Sequence, residues 1–501
     1  MNGRYRVAVI LAWIFAALAG GCGHDWRLAT RLDPVLDRLA AQGAVVHARV
    51  LELPSRRELY ARNADRACTP ASNLKLVVSA AGLDLFGPRH TFKTYLAMDG
   101  DDLWIVGTGD PGPGDGRLAR AKNATPLTML ETWAAVLKQR GIARIAGDLV
   151  YYDLALEDEQ THPTWRGFLL HWYAAPVAGL NFNDNCVDIT VEPSEEGQPA
   201  RYEVMPPARE IQVINECTTA KEGSASIVKL PGGNIYKLKG RCHEKIELIS
   251  KPVDDPGAFF ADALRVQLEA QGITVAGRIR RSETRLGGCL PPPADKSVAT
   301  YETPIVDVLS RINKNSQNLF AECLCKMTGR EWKARHGRDV PGSWANGSEA
   351  IRAFVRRCGI DDRSLVVADG SGLSVDNRVT ARLLTDLLAE MASRPNAEVY
   401  RASLSVAGVD GSLRNRMHDL TGHVFGKTGY IGGVSSMSGY IKTYGGTWLA
   451  VSIVYNGIPE HVGDDEDVAP FTKLQDEACR ILVDWPALSR PSTQPATTTA
   501  P

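Results

Sequence analysis

Three short strings of chemistry-bearing residues lie far apart along this chain: Ser72-Asn73-Leu74-Lys75, Ser316-Gln317-Asn318 and Lys427-Thr428-Gly429. The two serines are 316 − 72 = 244 residues apart, and Lys427 follows Ser316 by 427 − 316 = 111 residues. If the strings act at one place, late segments must fold back onto an early one, and the stretch between becomes an insertion. The flanks agree. Residues 30–42 read as a helix, and Ala44–Leu53 and Glu58–Arg62 as strands around Pro54-Ser55-Arg56-Arg57. Near the end, Ser436–Thr443 and Thr447–Tyr455 read as strands joined across Gly445-Gly446. Phe471, Leu474, Ala478, Ile481 and Trp485 then mark one face of a closing helix. Both ends thus contribute helix and strands to one sheet, in a discontinuous domain of residues 24–91 and 301–485. Residues 92–300 alternate polar and apolar between many Gly and Pro turns, and read as a mainly-β insertion with a few helices. The expected class is α+β. At 501 residues the chain is long enough for more than one domain.

The first string carries the sharpest chemistry. From Ser72 to Phe86 the chain is mostly apolar, with Pro70 before it and Gly87-Pro88 after it, which predicts a buried helix. Positions three apart on a helix share a face, so Ser72 meets Lys75. A serine hydroxyl is a weak nucleophile that needs a base, and a desolvated lysine has its pKa lowered enough to act as one. Composition alone yields an S-x-x-K string about once or twice in such a length. The chain holds its own decoy in Ser226-Ile227-Val228-Lys229, inside an alternating strand-like run where positions i and i+3 point to opposite faces.

The other two strings are weaker alone. Ser316 and Asn318 lie between two helical runs, where a loop can present a hydroxyl and an amide inward; a solvated helix junction is the bland alternative. Lys427-Thr428-Gly429 reads as part of an edge strand, with a fixed cation for a carboxylate and a glycine that lets another backbone approach closely. Elsewhere such a tripeptide is usually a turn.

Several features narrow the function classes. A net charge of −1 argues against nucleic acid and against a strongly basic membrane surface. Gly107-Thr-Gly109-Asp-Pro-Gly112 imitates a dinucleotide fingerprint, but Pro111 and Pro113 interrupt it, so a turn-rich loop is expected. No C-x-x-C or H-E-x-x-H string occurs and ten histidines are scattered, so neither metal nor cofactor is expected. Arg4 and Arg6 precede the apolar run Val7–Leu18, which has signal-peptide length. Two cleavages fit within residues 1–22: an ordinary one near Ala19, or lipoprotein processing that leaves a lipid anchor on Cys22. Either exports the chain, to the periplasm or the cell envelope. The nine other cysteines are odd in number, and Cys217 with Cys242 is the first candidate disulfide. Residues 486–501, rich in Pro, Thr and Ala, are expected to be a disordered tail.

In this order, and with this spacing, the strings resemble the D-alanyl-D-alanine carboxypeptidase/endopeptidase family of class C low-molecular-mass penicillin-binding proteins. Further stretches carry the likeness, among them Gly107–Pro111, Ala175–Asn185, Asp369-Gly-Ser-Gly-Leu-Ser374, Ala407–Leu413 and Gly433–Gly439. The resemblance implies a β-lactamase/transpeptidase-like domain, an antiparallel sheet flanked by helices, with a large insertion. It implies an acyl-enzyme mechanism on peptidoglycan stem peptides, with β-lactam antibiotics as acylating inhibitors. In that mechanism Ser72 is the nucleophile and Lys75 its base, helped by the nearby positive charge of Lys427. Ser316 and Asn318 pass the proton to the leaving amine and orient the peptide. Lys427 and Thr428 hold the terminal carboxylate beside Gly429, and the N–H groups of Ser72 and Tyr430 hold the oxyanion.

The chain departs from the pattern at three places. Tyr430 stands where Thr or Ser is usual, Val375 where Arg is common (with Arg378 nearby), and Gln317 where Asp is usual and the side chain is not catalytic. The first two favour cleavage of cross-links over trimming of free termini. The rival from another class is a peptidoglycan-binding scaffold on a degenerate enzyme fold. A β-lactamase fits less well, because of the insertion.

Overall fold

A computed structural model describes residues 25–38, 43–247, 250–459 and 465–485. The export signal with Cys22 and the 486–501 tail lie outside these residues. The chain divides into two units, one drawn from residues 1–73 and 378–501, the other from residues 74–377.

In the first unit, the two chain ends meet as expected. A six-stranded antiparallel sheet runs in the order Ser405–Val406, Val424–Ile431, Val434–Lys442, Trp448–Asn456, Val45–Leu53, Glu58–Arg62. The early strand Val45–Leu53 pairs along its whole length with the late strand Trp448–Asn456, Val45 opposite Asn456 and Leu53 opposite Trp448. One sheet face is covered by the helices Trp26–Leu36 and Asp465–Val483, through Leu28, Leu32, Phe471, Leu474 and Ala478 against Val46, Ala48 and Val451. The opposite face carries the helix Ala381–Ala392, where Tyr440 donates to the Leu388 carbonyl at 2.7 Å and Arg49 pairs with Asp386 at 2.6 Å. With both faces covered, the Val434–Lys442 strand is buried at every position but the last. The opening helix is placed earlier than the pattern suggested, because Asp25 caps it through the Arg27 N–H.

The second unit combines a helical group with three main sheets. Leu74–Phe86 is its central helix, buried without interruption from Leu74 to Leu83 and ended at Gly87, whose φ of +78° only glycine adopts readily. Around it pack Ile305–Asn313, Asn318–Arg335 and Trp344–Arg357. Gly82 permits the closest crossing, since a Cβ there would stand 2.8 Å from Leu324. A five-stranded mixed sheet is ordered Ile279–Arg281, Leu149–Tyr152, Asp102–Gly107, Thr91–Asp99, Ser297–Pro304. Smaller sheets form on Cys186–Glu192 and Ile235–Cys242. Helices Thr128–Gln139 and Pro256–Ala270 stack Trp133 on Phe260.

The Gly107–Gly112 stretch leaves the end of a strand as a loop, in agreement with the sequence reading. Cys217 and Cys242 are both free thiols. They lie on adjacent parallel strands, but the register sets Cys217 opposite Gly240 and Cys242 opposite Thr219. That offset separates the two backbones by about 8 Å, beyond the roughly 7 Å a disulfide spans.

Candidate active site

The first unit holds Ser72 and the Lys427-Thr428-Gly429 strand side by side. Ser72 lies in a single 3-10 turn, Ala71–Asn73, entered through Ala71 at φ +47°, a left-handed backbone that is unfavourable for a residue with a Cβ. Several bonds hold the turn. Ser436 donates to the Pro70 carbonyl at 2.8 Å, and Thr69 N–H donates to Asn456 Oδ1 at 2.8 Å. The Asn73 side-chain nitrogen donates to the Lys427 carbonyl at 2.6 Å while its oxygen accepts from the Met437 N–H at 3.2 Å. A Cβ on Gly429 would stand 2.8 Å from the Ser72 nitrogen and 2.4 Å from Ser436 Oγ, so only glycine lets the strand lie against the Ser72 backbone.

Alternation along Val424–Ile431 sorts the rest. Lys427, Gly429 and Ile431 are buried, while Thr428 is intermediate and Tyr430 is 46% exposed. The edge-strand reading holds for residues 427–431, because Ser405–Val406 pairs only with Gly426 and Phe425. Lys427 Nζ donates to the Thr428 carbonyl. The Thr428 hydroxyl donates to Ser412 Oγ at 2.7 Å, which places a second hydroxyl where the sequence reading had put one.

The second unit holds Lys75 and Asn318 together. Lys75 is fully buried and donates to Asn318 Oδ1 and to the Ser371 carbonyl, both at 2.7 Å. Asn318 Nδ2 donates onward to the Tyr173 carbonyl at 2.7 Å, which fixes the amide orientation. Burial pulls the Lys75 pKa down from 10.5 to about 7, against Glu322 and Asp369, which raise it. Burial, which the sequence reading also invoked, is the leading cause, and the carboxylates of Glu322 and Asp369 oppose it.

Ser316 sits at the junction between Ile305–Asn313 and Asn318–Arg335 with φ +57°, again a left-handed backbone at a site residue. Its neighbour Gln317 proves structural rather than indifferent. Gln317 is buried and donates to Asp184 Oδ2 at 2.7 Å, a carboxylate that also receives Arg311 at 3.2 Å. An aspartate at 317 would set one carboxylate against another there. Val375 is 52% exposed, and Arg378 Nη1 reaches Thr69 Oγ1 at 3.3 Å, three residues before Ser72.

Sequence reasoning missed Glu322, Ser412, Ser436 and the supporting role of Asn73. One signal was available: Glu322 stands four residues after Asn318 in one helix, on the same face. For Ser412 and Ser436 no periodicity marks them, since each is defined by what another segment brings alongside.

The chain is similar to several known proteins. The model of the D-Ala-D-Ala carboxypeptidase 3 (S13) family matches residues 28–475. A D-alanyl-D-alanine carboxypeptidase of Actinomadura sp. (strain R39) is 31% identical over 455 residues, covering 85% of this chain and 80% of that protein. D-alanyl-D-alanine carboxypeptidase DacB of Haemophilus influenzae is 25% identical over 407 residues, covering 77% and 80%. Among solved structures, penicillin binding protein 4 of Haemophilus influenzae superimposes with a TM-score of 0.73 at 22% identity, over 90% of this chain and 99% of that one. The same protein complexed with a β-lactam gives a TM-score of 0.69. The chain belongs to the D-Ala-D-Ala carboxypeptidase 3 (S13) family. It is a serine hydrolase of peptidoglycan peptides on a penicillin-binding-protein fold.

Proposed function

We propose that Ser72 attacks the carbonyl between two D-alanines and that Lys75 takes its proton. A neutral amine has two N–H groups and one lone pair. The two 2.7 Å bonds to Asn318 and Ser371 use both N–H groups, so the lone pair is the basic position. This arrangement of a fully buried lysine near neutrality carries the reading. A scaffold protein gains nothing from a buried amine whose pKa is pulled to about 7.

The acyl C–O bond to Ser72 forms, the peptide C–N bond breaks, and the proton passes from Lys75 by way of Ser316 to the leaving amine. Water then attacks the ester and regenerates Ser72. Backbone N–H groups of Ser72 and Tyr430 hold the oxyanion, worth a few kcal/mol of barrier; the Ser72 nitrogen lies close against the Gly429 backbone, one residue before Tyr430. Lys427 and Thr428, with Ser412 beside Thr428, receive the terminal carboxylate. A β-lactam presents the same carbonyl and leaves a slow acyl adduct, in keeping with the β-lactam complex of the Haemophilus protein.

The domain reading is retained as part of the proposal: a peptidase domain of residues 24–91 and 301–485 carrying an inserted 92–300. So is export to the periplasm or envelope, with a lipid anchor at Cys22 as the finer alternative to ordinary cleavage. Mass spectrometry of the full chain after incubation with penicillin tests the mechanism. One adduct on the peptide containing Ser72, together with D-alanine or cross-link cleavage from muropeptides, is expected. No adduct and no cleavage would favour the scaffold, and rapid penicillin turnover without peptide cleavage would favour a β-lactamase.

A further inference from the structure

Behind Lys75 stands a fully buried carboxylate that the acylation chemistry above does not use. Glu322 lies one turn after Asn318 and accepts three N–H donors, all at 2.7 Å: Ser371 N on Oε1, Gly370 N and Trp344 Nε1 on Oε2. Ser371 is also the residue whose carbonyl receives Lys75. One peptide segment therefore links carboxylate to amine, its N–H groups on Glu322 and its C=O on Lys75. The segment is seated tightly: a Cβ on Gly370 would stand 2.6 Å from the Ala321 carbonyl and 2.7 Å from Cys325 Cβ. Asp369 holds the other side of the loop, accepting from Gly372 N at 2.8 Å, Asn377 Nδ2 at 2.8 Å and Trp165 Nε1 at 2.9 Å.

We propose that Glu322 is a positioning residue for Lys75: it pins the Gly370–Ser371 backbone so that the Ser371 carbonyl orients the amine, and its negative charge tunes how readily that amine holds a proton. The inference rests on Lys75 being the base. A buried carboxylate is costly, and three convergent N–H donors offset part of that cost and favour its ionised form. A purely structural seat for two backbone N–H groups needs only neutral acceptors.

The ionisable groups acting on this pair come from each packed element: Lys75 itself, Asp369 from the loop, and Lys326, Cys323 and Cys325 from the helix that carries Glu322. Burial pushes both thiols up, so they stay neutral near pH 7. Lys326 pairs with Glu157 at 3.1 Å, lies over the Trp344 ring and donates to the Glu159 carbonyl at 2.8 Å, while burial lowers its pKa against Glu157 and Glu322. Burial raises the Glu322 pKa to about 7, Asp369 adds to the rise, and the three donors oppose it.

Glu322 raises the Lys75 pKa, so removing its charge lowers that pKa and frees the base at lower pH. The test is the acylation rate constant with a fluorescent penicillin, measured across pH 5–9 in the full chain for wild type, Glu322→Gln, Trp344→Phe and Lys75→Arg. Wild type should show an acid limb near pH 7. Glu322→Gln should move that limb down by about one pH unit and lower the plateau rate. Trp344→Phe removes one donor and makes Glu322 easier to protonate, so its limb should move the same way by less; it also decides the matter if Glu322→Gln does not fold. A rate reduced equally at every pH in the folded variant, with Lys75→Arg inactive, overturns the inference alone and leaves Glu322 as a structural seat. Normal acylation by Lys75→Arg overturns the assigned base and this inference with it.

Discussion

Ser72-Asn-Leu-Lys75 and Ser226-Ile-Val-Lys229 obey the same pattern and sit in different backbones. The first pair spans a 3-10 turn that runs directly into the Leu74–Phe86 helix. The second lies in the strand Ala225–Leu230, where Ser226 is exposed and Lys229 is buried on the opposite face. Lys229 pairs with Asp254 and donates to the Pro252 carbonyl at 2.8 Å, so its charge is neutralised and its role is to tie two strands together. Lys75 instead donates to an amide and a carbonyl, both uncharged, and the carboxylates of Glu322 and Asp369 raise its pKa against the larger effect of burial. A nucleophile's lysine must be able to be neutral. A cross-link's lysine must not. The local backbone, through which faces it aligns, decides which of the two a given S-x-x-K becomes.

The largest expected effect breaks this comparison at the serines. Ser72→Ala should reduce fluorescent-penicillin labelling to background with the thermal unfolding midpoint unchanged, while Ser226→Ala should label like wild type. Labelling that survives in Ser72→Ala would reverse the two roles.

At the lysines the contrast should be nearly as large. Lys75→Arg should slow acylation by roughly 10²–10⁴-fold, because guanidinium does not release its proton. Lys229→Arg should keep its ion pair and acylate normally. Equal rates for the two variants would place the base elsewhere.

The smallest expected effect concerns Tyr430, which refines the active string rather than testing it. Its ring is half exposed, and Ser412 already sets a hydroxyl beside Thr428. Tyr430→Thr should raise D-alanine release from peptides with a free carboxylate by about 1–2 kcal/mol, roughly five- to thirtyfold, relative to cleavage of cross-linked muropeptides. An unchanged ratio of the two rates would mean that Ser412 already supplies the missing group.

Much of this was legible along the chain because it depends on near neighbours. Gly87 ends the Leu74–Phe86 helix, Pro54-Ser55-Arg56-Arg57 separates Val45–Leu53 from Glu58–Arg62, and the turn at Gly445-Gly446 joins two strands of the sheet. The candidate disulfide failed for the opposite reason. Strand register sets Cys217 opposite Gly240, and register is a property of two strands that neither shows alone. Nothing beside Gln317 in the sequence announces its buried bond to Asp184, which forms only because a segment 133 residues away is brought against it.

The sequence by itself singled out the residues proposed for acyl transfer and determined that the ends of the chain share a sheet, because motif order, helix period and strand patterning are written in short windows. Tertiary structure alone decided the condition of Lys75. Its bonds to Asn318 and Ser371, and the carboxylates of Glu322 and Asp369, come from segments 243 to 296 residues away. Desolvation and Coulomb interaction depend on distance in space, and no window of sequence carries that distance.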